Sequence, residues 1–164
     1  QGFGAALETF VERRQKDIGP APQLTIKIKA DTPNGELSRQ DGKVEATIFA
    51  IVQETVNNAI KHAQASEIVV EVTETDQAVF TTIKDNGRGF DVDKVLNNYE
   101  ERGSLGMLNL QERTELIGGE LTMKSAPEQG TTITISVPKE KAERLRRRGT
   151  TGTLNLPPHI LNRY

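Results

Sequence analysis

Residues 44 to 63 carry a helical pattern that is apolar on one side only, and this constrains the fold more than any other feature of the chain. At about 100° per residue, Val44, Ile48, Ile51, Val52, Val56, Ala59 and Ala63 gather on one face. With Glu54 set at zero, Asn58 falls at roughly 40°, Lys61 at roughly 340° and Asn57 at roughly 300°, an arc opposite the apolar stripe. The stripe must be covered by another layer, and the opposite face must be left to water or to a ligand.

The rest of the chain supplies the cover. Gln23 to Lys29, Glu67 to Glu74, and Ala78 to Lys84 alternate apolar and polar residues as half-buried strands do, and the break at Thr75-Asp76-Gln77 suits a hairpin. Leu121 and Met123, then Ile133, Ile135 and Val137, mark two more strands joined through Ala126 to Gly130. Helical spacing returns from Gly2 to Asp17, ended by Gly19-Pro20, and from Leu105 to Ile117, ended by Gly118-Gly119. Phe90 to Gly103 has no strong period and reads as a loop with some helical character. Helices apolar on one face pack most economically as one layer on one sheet. We therefore expect an α+β two-layer sandwich, a mixed and largely antiparallel sheet beneath three helices.

The 164 residues suffice for one ordinary domain with a tail. The formal charge of −2 conceals an asymmetry: residues 1–138 are acidic and residues 139–148 are basic. An acidic body argues against binding nucleic acid by bulk charge, and none is expected as a partner. Cysteine is absent, which excludes disulfides, thiolate metal sites and thiol catalysis and suits a cytoplasmic location. The longest apolar run is about seven residues, far short of the roughly 20 needed to span a bilayer. The first residue is Gln1, not Met, and we expect a piece of a longer protein.

Four short constellations can carry chemistry. The Glu54, Asn57, Asn58, Lys61 arc reads either as the wet side of a helix or as a face turned to a ligand. Two adjacent asparagines are indifferent helix formers, and an amide oxygen is a hard neutral ligand that magnesium accepts. Asp85-Asn86-Gly87-Arg88-Gly89 contains the Asn-Gly turn signal, but a second glycine and a polar stretch follow where a hairpin would resume its strand. Glycines so spaced let a backbone approach a ligand or take positive φ, and Asp85 at a strand end offers a carboxylate. Gly103-Ser104-Leu105-Gly106 stands before a helix, either as a flexible loop or as a phosphate cradle. Gly130-Thr131-Thr132 enters the last strand as a turn or as a wall of the same site.

In order, the chain reads Gln53-Glu54-x-x-x-Asn58-x-x-Lys61-His62-Ala63, then Asp85-Asn86-Gly87-Arg88-Gly89-Phe90, then Gly103 to Gly106 leading to Gln111-Glu112-Arg113, and then Ser125-Ala126-Pro127-x-x-Gly130-Thr131. This series resembles the N box, G1 box, G2 box and closing Gly-Thr of the ATP-binding domain of bacterial sensor histidine kinases, most nearly the nitrate-sensor and thermosensor subgroup. The resemblance runs from about Gly2 to Pro138. It implies the two-layer Bergerat fold shared with gyrase-type and heat-shock chaperone ATPases, with 1–138 as the ATP-binding domain and 139–164 as a basic segment and a disordered tail.

The resemblance also implies roles. Asn58 would hold Mg²⁺ through its side-chain oxygen, and Glu54 would act as general base or orient the acceptor. Lys61 would meet phosphate oxygens, with Asn57 and His62 in support. Asp85 would accept a hydrogen bond from the adenine amino group. Gly87 and Gly89 would pass close to base and sugar, with Thr131 nearby. Phe90 to Gly103 would form a lid over the phosphates. Gly103, Ser104, Leu105 and Gly106, with a helix starting near Leu105, would supply backbone donors. The family usually shows Gly-x-Gly in the G2 box; here Gly106 falls on the second glycine, Ser104 on the first, and Gly103 one residue away.

The function so implied is the catalytic domain of a two-component kinase. It would bind Mg-ATP and donate the γ-phosphoryl group to a histidine on a dimerisation domain, for onward transfer to a response regulator. The only histidines here are His62 and His159, and neither has the surroundings of that acceptor. We therefore expect a monomer that binds Mg-ATP without phosphorylating itself. A related ATPase, an anti-sigma-type serine kinase and a non-catalytic ATP-sensing module are the alternatives.

Overall fold

The computed structural model describes residues 2–97 and 102–139. Helix α1 (Phe3–Ile18) buries Phe3, Leu7 and Val11, spaced four apart along one side, and ends at Gly19 with φ of 80°. Strand β1 (Gln23–Ala30) follows. Helix α2 (Gly42–Asn58) is capped by Asp41, whose carboxylate accepts from the Lys43 backbone N–H at 2.8 Å. It continues into a π-helical turn, Ala59–Ala63. Strands β2 (Glu67–Glu74) and β3 (Ala78–Asp85) form the expected hairpin.

Two short stretches differ from the sequence expectation. Within the segment read as a loop with some helical character, Val92–Asn97 forms a short helix, α3, so the described helices number four where three were expected. Helix α4 (Arg102–Leu116) begins three residues before Leu105, because the polar residues ahead of the apolar stripe complete its first turn. Strands β4 (Glu120–Ser125) and β5 (Thr131–Pro138) close the order. The basic segment after Lys139 and the tail, including His159, lie outside the described residues, as do 98–101 within the expected lid.

The sheet runs β1-β2-β3-β5-β4. Only β1 and β2 are parallel, joined by α2 as the crossover; the other pairs are antiparallel. Strand alternation sorts the faces. Leu24, Ile68, Val70, Val72, Val79, Ile83, Ile133, Ile135 and Val137 point to one side and are buried beneath Val44, Ile48, Ile51, Val52 and Val56 of α2 and Leu7 and Val11 of α1. The other side carries Lys27, Glu71, Phe80, Thr82, Lys84 and Thr134, half-exposed or exposed. One covered face and one wet face make the two-layer sandwich that the helix pattern requires.

Candidate functional site

The motif residues converge at one end of this sandwich, where β3 ends and β5 begins. Asp85 is the last residue of β3, in register with Ile68 of β2 and Thr131 of β5, and is only 7% exposed. Its Oδ1 accepts from the Gly87 backbone N–H at 2.9 Å, which closes the turn behind it. A carboxylate accepts at several lone-pair positions, so this bond leaves acceptor capacity free.

The loop after Asp85 is tied on three sides. Asn86 Oδ1 accepts from the Ser66 and Glu67 backbone N–H groups, each at 3.0 Å, and so fixes the loop to the start of β2. The Arg88 N–H donates to the Ala63 carbonyl at 2.8 Å, and the Arg88 carbonyl accepts from the Glu128 N–H at 2.6 Å. The Phe90 N–H donates to Ser125 Oγ at 2.9 Å. The Ser125 hydroxyl donates to the Gly130 carbonyl at 3.0 Å; it has one hydrogen, so the 2.9 Å contact to Thr131 Oγ1 is donated by Thr131. Both glycines of this loop are required. Gly87 packs so close to the Ala63 carbonyl that a Cβ would collide with it, and Gly89 has φ of +56° with the Ala126 carbonyl where its Cβ would stand.

These elements enclose a cleft of about 400 Å³, within the range of small-molecule sites. Thr55, Asn58, Ala59, His62 and Ala63 form one wall. Asp85, Arg88, Gly89 and Phe90 form the second, with Met123, Thr131 and Ile133 of the sheet as floor. Val95 of α3 and Gly106, Met107 and Leu110 of α4 complete it. It is an apolar slot with few polar groups. Among the described residues no group of three His, Cys, Asp or Glu side chains gathers to hold a metal. A magnesium ion here would be met by an amide oxygen and shared with a ligand's phosphates and water, which is its usual habit.

Of the residues singled out from sequence, Asn58, His62, Asp85, Gly89, Gly106 and Thr131 line this cleft, and Gly87 braces it. Gly103, Ser104 and Leu105 lie in the first turn of α4, where backbone N–H groups lack intrahelical partners, and Gly106 sits one turn inside. Glu54, Asn57 and Lys61 are not brought to the cleft wall. Glu54 accepts from Arg113 Nη1 of α4 at 3.1 Å, Asn57 Oδ1 accepts from Arg14 Nε of α1 at 2.9 Å, and Lys61 is exposed. The reason is a rotation. Thr55 and Ala59 lie at roughly 100° and 140° on the wheel that has Glu54 at zero, within the apolar stripe, so the wall runs from the edge of the polar arc at Asn58 into that stripe and leaves the rest of the arc outside. The wider π turn advances each residue by less than an α turn does, which leaves both His62 and Ala63 on the cleft side.

Sequence reasoning missed Thr55 and Arg88 as wall residues, and Arg14 and Arg113 as partners. Arg88 was visible inside its motif as the cation between two glycines. Arg14 and Arg113 gave no local signal, since each bonds a residue more than 40 positions away.

The family model described as "Histidine kinase-, DNA gyrase B-, and HSP90-like ATPase" matches residues 43–141. The chain is 40% identical over 141 residues to an "Uncharacterized sensor-like histidine kinase" of Chloroflexus aurantiacus, covering 85% of this chain and 23% of that protein. It is 38% identical over 132 residues to the "Signal transduction histidine-protein kinase/phosphatase DegS" of Brevibacillus brevis, covering 74% and 33%. The chain thus spans no more than about a third of the length of these curated relatives. Among solved structures, the histidine kinase domain of the Erythrobacter litoralis EL346 blue-light activated histidine kinase superposes with a TM-score of 0.63 at 22% identity, over 88% of this chain and 64% of that one. The Acinetobacter baumannii histidine kinase AdeS gives 0.62 at 15% identity, over 84% and 65%. At those identities the likeness is one of fold.

Proposed function

The chain belongs to the family of histidine kinase-, DNA gyrase B- and HSP90-like ATPases, and from that premise we propose that it is the ATP-binding catalytic domain of a two-component sensor histidine kinase. In this reading it binds Mg-ATP in the cleft and presents the γ-phosphoryl group to a histidine on a dimerisation domain, from which a response regulator receives it. Its matched relatives carry sensor-kinase names, which favours this over a chaperone-type ATPase or an anti-sigma-type serine kinase.

The observation that carries the proposal is the buried Asp85 on one wall of an apolar slot, with Asn58 on the other. An ionised carboxylate accepts hydrogen bonds and cannot donate them. It matches the amino group of adenine, whereas guanine offers a carbonyl at that position and would leave both acceptors unpaired. Mismatches of this kind discriminate by up to about 10⁴-fold. Met107, Leu110, Met123 and Ile133 give the base an apolar bed, and the exposed Asn58 side chain stands where phosphates and solvent meet. Bound Mg²⁺ would supply charge neutralisation at the phosphates, with the Asn58 oxygen holding it. Gly103 and Ser104 in the first turn of α4, together with Arg88, offer donors to the phosphate oxygens. Phosphoryl transfer is mainly positioning and electrostatics, so a rigid braced loop and a helix start are the parts it needs.

Glu54 stands outside the slot, half-exposed and paired with Arg113, where a docked acceptor segment could reach it. In the parent kinase, Glu54→Ala should lower phosphotransfer about 100-fold while ATP binding stays intact, the size of a lost general base. Unchanged phosphotransfer would remove Glu54 from the chemistry.

A further inference from the structure

Glu54 stands outside the slot, and a side chain from another helix holds it. Arg113 Nη1 of α4 donates to Glu54 Oε2 at 3.1 Å, and among the described residues it is the one cation paired with that carboxylate. The two side chains are 47% and 32% exposed, and an ion pair so placed adds little to stability in water. The helices that carry it are firmly seated without it. On α2, Val52 and Val56 on either side of Glu54 are fully buried. On α4, Thr114 beside Arg113 is fully buried, and its hydroxyl donates to the carbonyl of the buried Leu110 at 2.8 Å. The bond therefore sets the direction of the Glu54 carboxylate and does not set the place of either helix.

Both helices pass from this pair to the cleft within one turn. On α2, Glu54 stands four residues before Asn58; on α4, Arg113 stands three residues after Leu110 and seven after Gly106, and at roughly 100° per residue these three share one row. We propose that Arg113 is a positioning residue for phosphoryl transfer: it holds the Glu54 carboxylate in one orientation and leaves Oε1 to take the proton of the incoming acceptor. This inference rests on the kinase reading above and on the role it gives Glu54. A glutamate on an exposed helix face samples several rotamers, and a general base acts only within hydrogen-bond reach of the proton it takes. One guanidinium N–H on Oε2 removes that spread, while the lone pairs of Oε1 stay open. As the acceptor nitrogen bonds to the γ-phosphorus, the bond from that phosphorus to the bridging oxygen breaks. ADP leaves with the electron pair, and the proton of the acceptor imidazole passes to Oε1.

The test measures kcat and KM for autophosphorylation of the parent kinase with radiolabelled Mg-ATP, in the wild type, Arg113→Ala, Glu54→Ala, the double variant and Arg113→Lys. Arg113→Ala should lower kcat about tenfold, a part of the roughly 100-fold expected from Glu54→Ala, and should move KM for ATP by less than about twofold. Added to Glu54→Ala, Arg113→Ala should change kcat by less than about twofold, because its effect passes through Glu54. Arg113→Lys keeps the charge without the planar fork and should recover part of the loss. A role in packing α4 would lower kcat equally in both backgrounds or raise KM, and either result overturns the assignment. So does an Arg113→Ala kinase with unchanged or raised kcat; if Glu54→Ala is still impaired, the kinase reading stands and Arg113 alone is removed. Full activity of Glu54→Ala would overturn the role of Glu54, and this assignment with it.

Discussion

Glu74 and Asp85 are both buried carboxylates on the core side of the sheet, at opposite ends, and their partners set them apart. Asp85 has one backbone N–H against it and faces a cleft. Glu74 is saturated: the Ser38 backbone N–H donates at 2.7 Å, the Ser38 hydroxyl donates as well, and Lys139 Nζ lies at 2.6 Å. Burial pushes the Glu74 pKa up, but the hydrogen bonds from Lys139 and Ser38 and the Lys139 charge outweigh it and hold the carboxyl below its ordinary value. Glu74 therefore contributes stability that is complete above the unfolded carboxylate pKa and is lost as the pH falls through the lower folded value. Lys139→Met leaves that charge buried with only Ser38 to meet it. It should cost about 3 kcal/mol at neutral pH, read by urea denaturation, and move the acid-unfolding limb to higher pH. Equal stability of the variant would show that the pair carries no load.

Helix α2 separates its two asparagines by function, although they are adjacent in sequence. Asn58 opens onto the cleft, while Asn57 accepts from Arg14 and joins α2 to α1. Asn58→Ala should abolish the gain in ATP affinity that Mg²⁺ brings and leave the melting temperature unchanged. Asn57→Ala should cost about 1 kcal/mol of stability and leave nucleotide affinity as it was. Paired titrations with and without Mg²⁺, alongside melts, separate the two, and the reverse pattern would exchange their roles. The element itself was legible from the spacing of Val44, Ile48, Ile51 and Val56, because burial against a sheet imposes that spacing. Which edge of its polar arc meets the cleft was not, since that depends on how α2 is rotated over the sheet and on the π turn at Ala59. A π turn leaves no mark in a pattern that reads equally well as one long α-helix. The start of α4 was misplaced for a related reason: Arg102, Gly103 and Ser104 carry no apolar period, and their helix is set by what precedes and follows them.

Across the whole molecule, one two-layer body carries the cleft at the end defined by Asp85 and Thr131 and is fastened at the other by Glu74 and Lys139. The layer architecture could be read from sequence because every strand alternates and no described helix is apolar all round. The site could be read because its glycines and Asp85 serve local needs: a turn, a close approach, a positive φ. Thr55, Arg14 and Arg113 could not, since their roles exist only once distant elements meet. No described helix is long and apolar enough to cross a membrane. On the proposed reading, this cleft takes ATP because Asp85 pairs with the amino group of adenine. Calorimetric titration of the chain with Mg-ATP and with Mg-GTP tests it most directly. ATP should bind saturably and one to one, and GTP should bind more weakly by at least about 100-fold. Comparable affinity for the two nucleotides, or no binding of ATP, would contradict it.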